Sequence, residues 1–134
     1  MRYFSSESVT EGHPDKMCDQ ISDALLDAFL AGDRNSRCAI ESLSAGNMIH
    51  VAGEVTSNAK VDVEKIVRDL VRSIGYTDVS IGIDADGFAW HLSLGQQSAD
   101  IAHGVDSALE ARDGGSVDPY DSLGAGDQGI MFGF

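Results

Sequence analysis

The sequence predicts an α+β domain, a layered sheet of largely antiparallel strands with helices packed on one face. Three patterns lead there. Apolar residues recur at helical spacing from Met17 and again from Val63. Strand-like segments follow each helix, and clusters of turn residues join those segments in pairs. The resulting order is helix, hairpin, helix, hairpin.

The first helix carries Met17, Ile21, Ala24, Leu25, Ala28 and Phe29 on one stripe and should end near Ala31-Gly32, glycine being the usual terminator. It opens on Glu11-Gly12-His13-Pro14-Asp15-Lys16. Pro14 suits the first helical position, where its fixed φ fits and its missing N–H is not needed. Unpaired backbone N–H groups and the helix dipole favour an anion at this end. Asp15 suits a hard cation, His13 can donate to a phosphate oxygen, and Lys16 adds charge. A capped surface helix would need no more than these same residues. Asp15, Asp19, Asp23 and Asp27 follow at intervals of four. Beyond the first turn that column reads most simply as a solvated face.

Two strands come next, roughly Arg37 to Leu43 and Met48 to Val55, joined at Ser44-Ala45-Gly46-Asn47. In the second strand Ile49, Val51, Gly53 and Val55 share one face, and His50, Ala52 and Glu54 the other. Glu41 and Glu54 thus sit on the two arms of one hairpin, where each carboxylate needs a cation, a donor or water. The second helix follows Asp62, with Val63, Ile66, Val67, Leu70, Val71 and Ile74 on one side and Gly75 as its stop. A second hairpin is expected from Val79 to Ile83, a turn at Asp84-Ala85-Asp86-Gly87, and Phe88 to Leu94. There Phe88, Trp90, Leu92 and Leu94 alternate as a buried face would.

Periodicity is lost over residues 96–122, which read as a mobile connection. Gln96-Gln97-Ser98 stands at its hinge. Gly124, Gly126 and Gly129 match the dinucleotide fingerprint by letter, but a loop precedes them and a strand-like Ile130-Met131-Phe132-Gly133-Phe134 follows. The fingerprint requires a strand before and a helix after, so a nicotinamide-binding domain is a poor reading. A glycine-rich turn letting Asp127 approach a ligand fits better. The apolar final strand suggests a chain cut short.

The 134 residues carry 22 acidic and 9 basic side chains, a net charge of −13. That balance repels nucleic-acid phosphates and anionic membranes, and any anionic ligand must have its charge offset from elsewhere. Cys18 and Cys38 form neither a CxxC pair nor a disulfide framework, and His13, His50, His91 and His103 show no zinc spacing with them. The amino terminus lacks a signal-peptide stretch, so a soluble cytoplasmic protein is expected.

Taken in order, these pieces resemble the methionine adenosyltransferase (S-adenosylmethionine synthetase) family. The matching residues are Phe4 through Lys16, Asp19-Gln20-Ile21-Ser22-Asp23, Gly53-Glu54-Val55-Thr56, Ile74-Gly75-Tyr76, Gln97-Ser98, Asp100-Ile101-Ala102, Gly104-Val105 and Gly124 through Gly133. The resemblance spans residues 1–134 as an amino-terminal region, with the family's central and carboxy-terminal domains absent. It implies an S-adenosylmethionine synthetase type of fold, and synthesis of S-adenosylmethionine, phosphate and diphosphate from ATP, L-methionine and water. It also implies Mg²⁺ held at Asp15, K⁺ at Glu41, and ATP contacts from His13, Lys16 and Asp127, with His13 catalytic. Methionine contacts fall to Glu54, Gln97 and Asp127, and 96–122 becomes a gating loop. Ala99, His103 and the stretch Glu110 to Pro119 depart from the family pattern, leaving the gating details open. Family members are homodimers or tetramers whose sheets pack face to face, a use for the apolar strand faces above. The family's later lysines and arginine are not in this sequence, whose three lysines are Lys16, Lys60 and Lys65. The chain alone is therefore expected to be inactive, and a non-catalytic dimerising or ligand-binding module is the alternative.

Overall fold

The apolar stripe from Met17 condenses into α1, Pro14–Gly32, with Met17, Ile21, Leu25 and Phe29 buried along one side. A computed structural model describes residues 2–96, together with Gly114 and Gly133. After α1 come β1 (Arg37–Ser44), β2 (Met48–Thr56), α2 (Val63–Ile74), a single 3₁₀ turn at Val79–Ile81, and β3 (Ala89–Gly95). The helix and first-hairpin boundaries fall within a residue or two of those expected. In α2 the Asp62 carboxylate accepts from the Lys65 N–H, and Gly75 ends the helix at φ 112°, a conformation few other residues adopt.

β1 and β2 pair antiparallel from Arg37↔Thr56 to Ser44↔Ile49. The expected second hairpin does not form. Val79–Ile81 coils into the 3₁₀ turn because the Asp78 side chain caps it by accepting from the Ser80 N–H. A local Asp-to-backbone bond thus outcompetes the strand that Val79 and Ile81 imply, and both side chains are left exposed. Only an isolated antiparallel bridge, Thr77↔Asp84, survives from that arm.

β3 instead pairs parallel with β2, from Met48↔Ala89 to Glu54↔Gly95. Asn47 sets this arrangement. Its side chain accepts from the Asp84 N–H and donates to the Gly87 carbonyl, and its own carbonyl accepts from Ala89 N–H. The sheet among the described residues is therefore mixed, in order β1-β2-β3. The α+β class stands, with α2 serving as the crossover that a parallel pair requires.

Both helices cover the face bearing Ile49 and Val51, which are completely buried along with Val67, Val71 and Ala85, while Ile83 and Phe88 are nearly so. Arg68 fastens the 83–88 loop to α2 by donating to the Ala85 carbonyl at 2.8 Å and lying 4.3 Å over the Phe88 ring. The expected alternation is broken at Leu92: Phe88, just before β3, is buried, and Trp90 and Leu94 pack half-buried against the core, but Leu92 between them is 47% exposed. The apolar residues Ile49 and Val51 of β2 are thus buried beneath this chain's own helices. The opposite face carries Glu41 and Leu43 on β1, His50, Ala52 and Glu54 on β2, and His91 and Ser93 on β3.

Candidate functional site

His13 is the N-cap of α1. Its backbone is extended, and its Nδ1 accepts from the Asp15 N–H at 3.2 Å. An acceptor nitrogen carries no proton, so the neutral ring holds its proton on Nε2 and presents a donor outward. Pro14 follows in the first turn, where its missing N–H costs nothing and its fixed φ suits the helix. The Asp15 carboxylate lies 3.9 Å from Nδ1 and is 87% exposed. Lys16 pairs one turn onward with Asp19 at 3.2 Å, so part of its charge is already offset.

Two residues not read as functional from the sequence hold this segment. Gln20 donates from Nε2 to the carbonyls of Glu11 (3.1 Å) and Lys16 (3.2 Å). The Tyr76 hydroxyl, 64 positions along the chain, donates to the Gly12 carbonyl. Both lie inside the quoted motifs, but spacing alone could not disclose a contact of that sequence separation. A shallow cavity of about 200 Å³ beside them is lined by Gly12, Met17, Tyr76 and Ile83 together with Ser44 and Gly46 of the β1–β2 turn.

Glu41 and Glu54 form the second group. Glu41 stands opposite Ala52, and Glu54 opposite Ala39, so the carboxylates are diagonal neighbours on the open sheet face. Among the described residues no salt bridge reaches either. Gly53 precedes Glu54 at φ 135°, and a Cβ there would fall 2.0 Å from the Ala39 carbonyl oxygen. Only glycine lets β1 approach this closely.

The described residues bring together His13, Asp15 and Lys16, and separately Glu41 and Glu54. They do not join the two groups. The α1 N-terminus meets the β1–β2 turn, whereas Glu54 lies five register steps away, about 17 Å along the strand, on the face opposite α1. Gly95, the register partner of Glu54, ends β3 just before Gln96. Gln97, Asp127 and the 96–122 loop lie outside the described residues, Gln96 and Gly114 excepted.

No group of three His, Cys, Asp or Glu suited to a metal occurs among the described residues. A caged ion is thus unsupported there. Asp15 fits the alternative habit of Mg²⁺, which uses one or two carboxylates and completes its shell with substrate phosphates and water. Glu41 offers a hard oxygen donor to K⁺ but no cage by itself.

These features define an α+β domain with an anion-receptive helix end and a carboxylate-bearing sheet face. The chain belongs to the S-adenosylmethionine synthetase family: the model of that family's N-terminal domain matches residues 1–99. Its relatives include the S-adenosylmethionine synthase of Mycolicibacterium gilvum (strain PYR-GCK), 54% identical over 136 residues, covering 99% of this chain and 34% of that protein. The S-adenosylmethionine synthase of Leifsonia xyli subsp. xyli (strain CTCB07) is 54% identical over 134 residues, covering 100% of this chain and 34% of that protein. The chain therefore spans about a third of the length of these curated relatives.

Proposed function

We propose that this chain supplies the amino-terminal part of an S-adenosylmethionine synthetase, a transferase joining L-methionine to the adenosyl group of ATP in S-adenosylmethionine biosynthesis. The observation that carries this reading is the family match over residues 1–99. The methionine sulfur attacks C5′ of the ribose and expels triphosphate, which water then cleaves to phosphate and diphosphate. A neutral sulfur needs no base, so the protein's task is in-line positioning and stabilising the charge on the leaving group.

In this assignment His13 donates from Nε2–H to an oxygen at the triphosphate end, and its capped Nδ1 keeps that tautomer in place. The α1 N-terminus adds its dipole and Lys16 a cation. Asp15 is the residue that would hold Mg²⁺, and Glu41 the one that would contribute to K⁺ binding; when bound, such ions neutralise phosphate charge. Glu54 pairs with the methionine ammonium, Gln97 contacts methionine from the start of a gating loop, and Asp127 lines the pocket shared by methionine and adenosine. The two groups then serve opposite ends of an extended substrate pair.

A net charge of −13 leaves this chain short of cations for a triphosphate. The remaining two-thirds of the relatives' length supplies them in this proposal, within a homodimer or tetramer in the cytoplasm. With such acidity, nucleic acid and anionic membrane are not partners. No helix among the described residues is long and apolar enough to cross a membrane. The separation of His13 from Glu54 favours one second reading, a non-catalytic module that dimerises or binds ligand weakly. Product formation from labelled methionine and ATP discriminates. The chain alone should make none, while the chain fused to the remaining two-thirds of the Leifsonia synthase should be active. An inactive but folded fusion would leave the module reading.

A further inference from the structure

We infer that Tyr76 is a positioning residue for the synthetase reaction, aiming the His13 imidazole through the peptide unit that precedes it, a role that rests on the one proposed above for His13 at the triphosphate. The Tyr76 hydroxyl donates to the Gly12 carbonyl. That carbonyl and the His13 N–H belong to one planar peptide unit, so a bond to either end orients both. The His13 N–H in turn donates to the Thr10 carbonyl at 3.0 Å. With the plane held at both ends and His13 at φ −69°, the direction of its Cα–Cβ bond, which carries the ring, is set.

Other elements leave this task to Tyr76. Residues 2–11 are exposed throughout, so packing does not fix the approach to α1. Gln20 bonds the Glu11 and Lys16 carbonyls, but it stands on α1 and moves with that helix. Among the described residues, the Tyr76 bond is the one that ties residues 11–16 to another element. The cavity of about 200 Å³ beside Gly12, Pro14 and Tyr76 gives the segment space to shift once the hydroxyl is gone.

Tyr76 is itself firmly placed. Its N–H donates to the Val71 carbonyl at 3.3 Å, and its carbonyl accepts from the buried Ala85 N–H at 2.9 Å. Its ring packs partly buried against the core, directly after Gly75, the left-handed stop of α2. Gly12 lets the hydroxyl arrive: a Cβ there would lie 3.3 Å from the hydroxyl oxygen, tighter than an ordinary contact.

A donor that stabilises charge on a leaving oxygen works only within hydrogen-bond reach of it, and a misplacement of about 1 Å can cost about 10²-fold. Without the Tyr76 hydroxyl, His13 is present but poorly aimed. The loss falls on kcat. The proposed partner of the methionine ammonium, Glu54, lies about 17 Å along the strand on the face opposite α1, so the KM for methionine is spared.

Activity is read in the fusion to the remaining two-thirds of the Leifsonia synthase. Tyr76→Phe should lower kcat about tenfold and leave the KM for methionine within about twofold. In a His13→Ala background the same substitution should change kcat by less than about twofold, because Tyr76 acts through the ring that is gone. A purely structural role would lower both backgrounds alike. In this chain alone, NMR couplings across the His13 Cα–Cβ bond should report one rotamer in the parent and an average in Tyr76→Phe. Phenylalanine keeps the ring and so the core packing. An unchanged kcat in Tyr76→Phe beside an impaired His13→Ala would overturn the inference and spare the proposed function. Equal losses in the two backgrounds, or couplings that the substitution leaves unmoved, would overturn it too. An inactive parent fusion, or a His13→Ala fusion as active as its parent, would remove the proposed function and this role with it.

Discussion

Replacing Gly53 by alanine asks how tightly the sheet holds the strand that carries Glu54. The new Cβ would lie 2.0 Å from the Ala39 carbonyl oxygen and 3.0 Å from its carbon, both backbone atoms that cannot swing aside. To restore an ordinary contact of 3.4 Å, β1 must retreat by about 1.4 Å, enough to spoil the neighbouring ladder bonds. Two such bonds, at about 0.5–1.5 kcal/mol each, and an alanine held at positive φ, at about 1–3 kcal/mol, sum to about 2–6 kcal/mol, of which about 3 kcal/mol is the working value. For a unit of this size that lowers the melting temperature by about 10–20 °C. Thermal and urea unfolding followed by circular dichroism measure it. Amide exchange should speed first at Ala39, Ile40 and Glu54, where the ladder opens. A variant melting within about 3 °C of the parent would refute the reasoning, since sterics of this kind admit no mild outcome.

Other outcomes follow from the same structure. Tyr76→Phe removes the hydrogen bond to the Gly12 carbonyl while keeping the ring; it should cost about 0.5–1.5 kcal/mol and speed amide exchange at His13, measurable by NMR. Ile21→Ala leaves a hole beneath a fully buried position and should destabilise by about 2–5 kcal/mol in urea titration. The Asn58 N–H, then that of Asn35, hold the Asp33 carboxyl below its ordinary value of 3.8. Its stabilising contribution is therefore present above that ordinary value and lost as pH falls through the lower folded one. Urea midpoints measured down the acid range should drop below about pH 4 in the parent, and Asp33→Asn should flatten that drop.

Much of the fold was legible because its strongest signals are local. Periodicity with a carboxylate cap and a glycine stop marked α2, and Ser44-Ala45-Gly46-Asn47 marked the first turn. The second hairpin was misread because Val79 and Ile81 look like a strand, while the Asp78 cap and the anchoring by Asn47 are tertiary choices. Parallel pairing of β2 with β3 leaves no trace in a two-residue alternation, which is the same for either direction. Of the site, His13, Asp15 and Lys16 were readable as a helix start. The tautomer set by capping, and the Tyr76 and Gln20 bonds, emerge only when distant segments meet. The place of Glu54 on the far face from α1 was equally hidden, since strand alternation assigns a face but not which face the helices choose.

Central to the proposed function is a division of labour, in which this chain offers His13 and the carboxylates while the cations come from the rest of the enzyme. S-adenosylmethionine formation by the chain alone, by its fusion to the remaining two-thirds of the Leifsonia synthase, and by the His13→Ala fusion tests that directly. The expected result is no product from the chain, turnover by the fusion, and a loss of about 10²-fold or more with alanine at position 13. Turnover by the isolated chain, or a His13→Ala fusion as active as its parent, would contradict it.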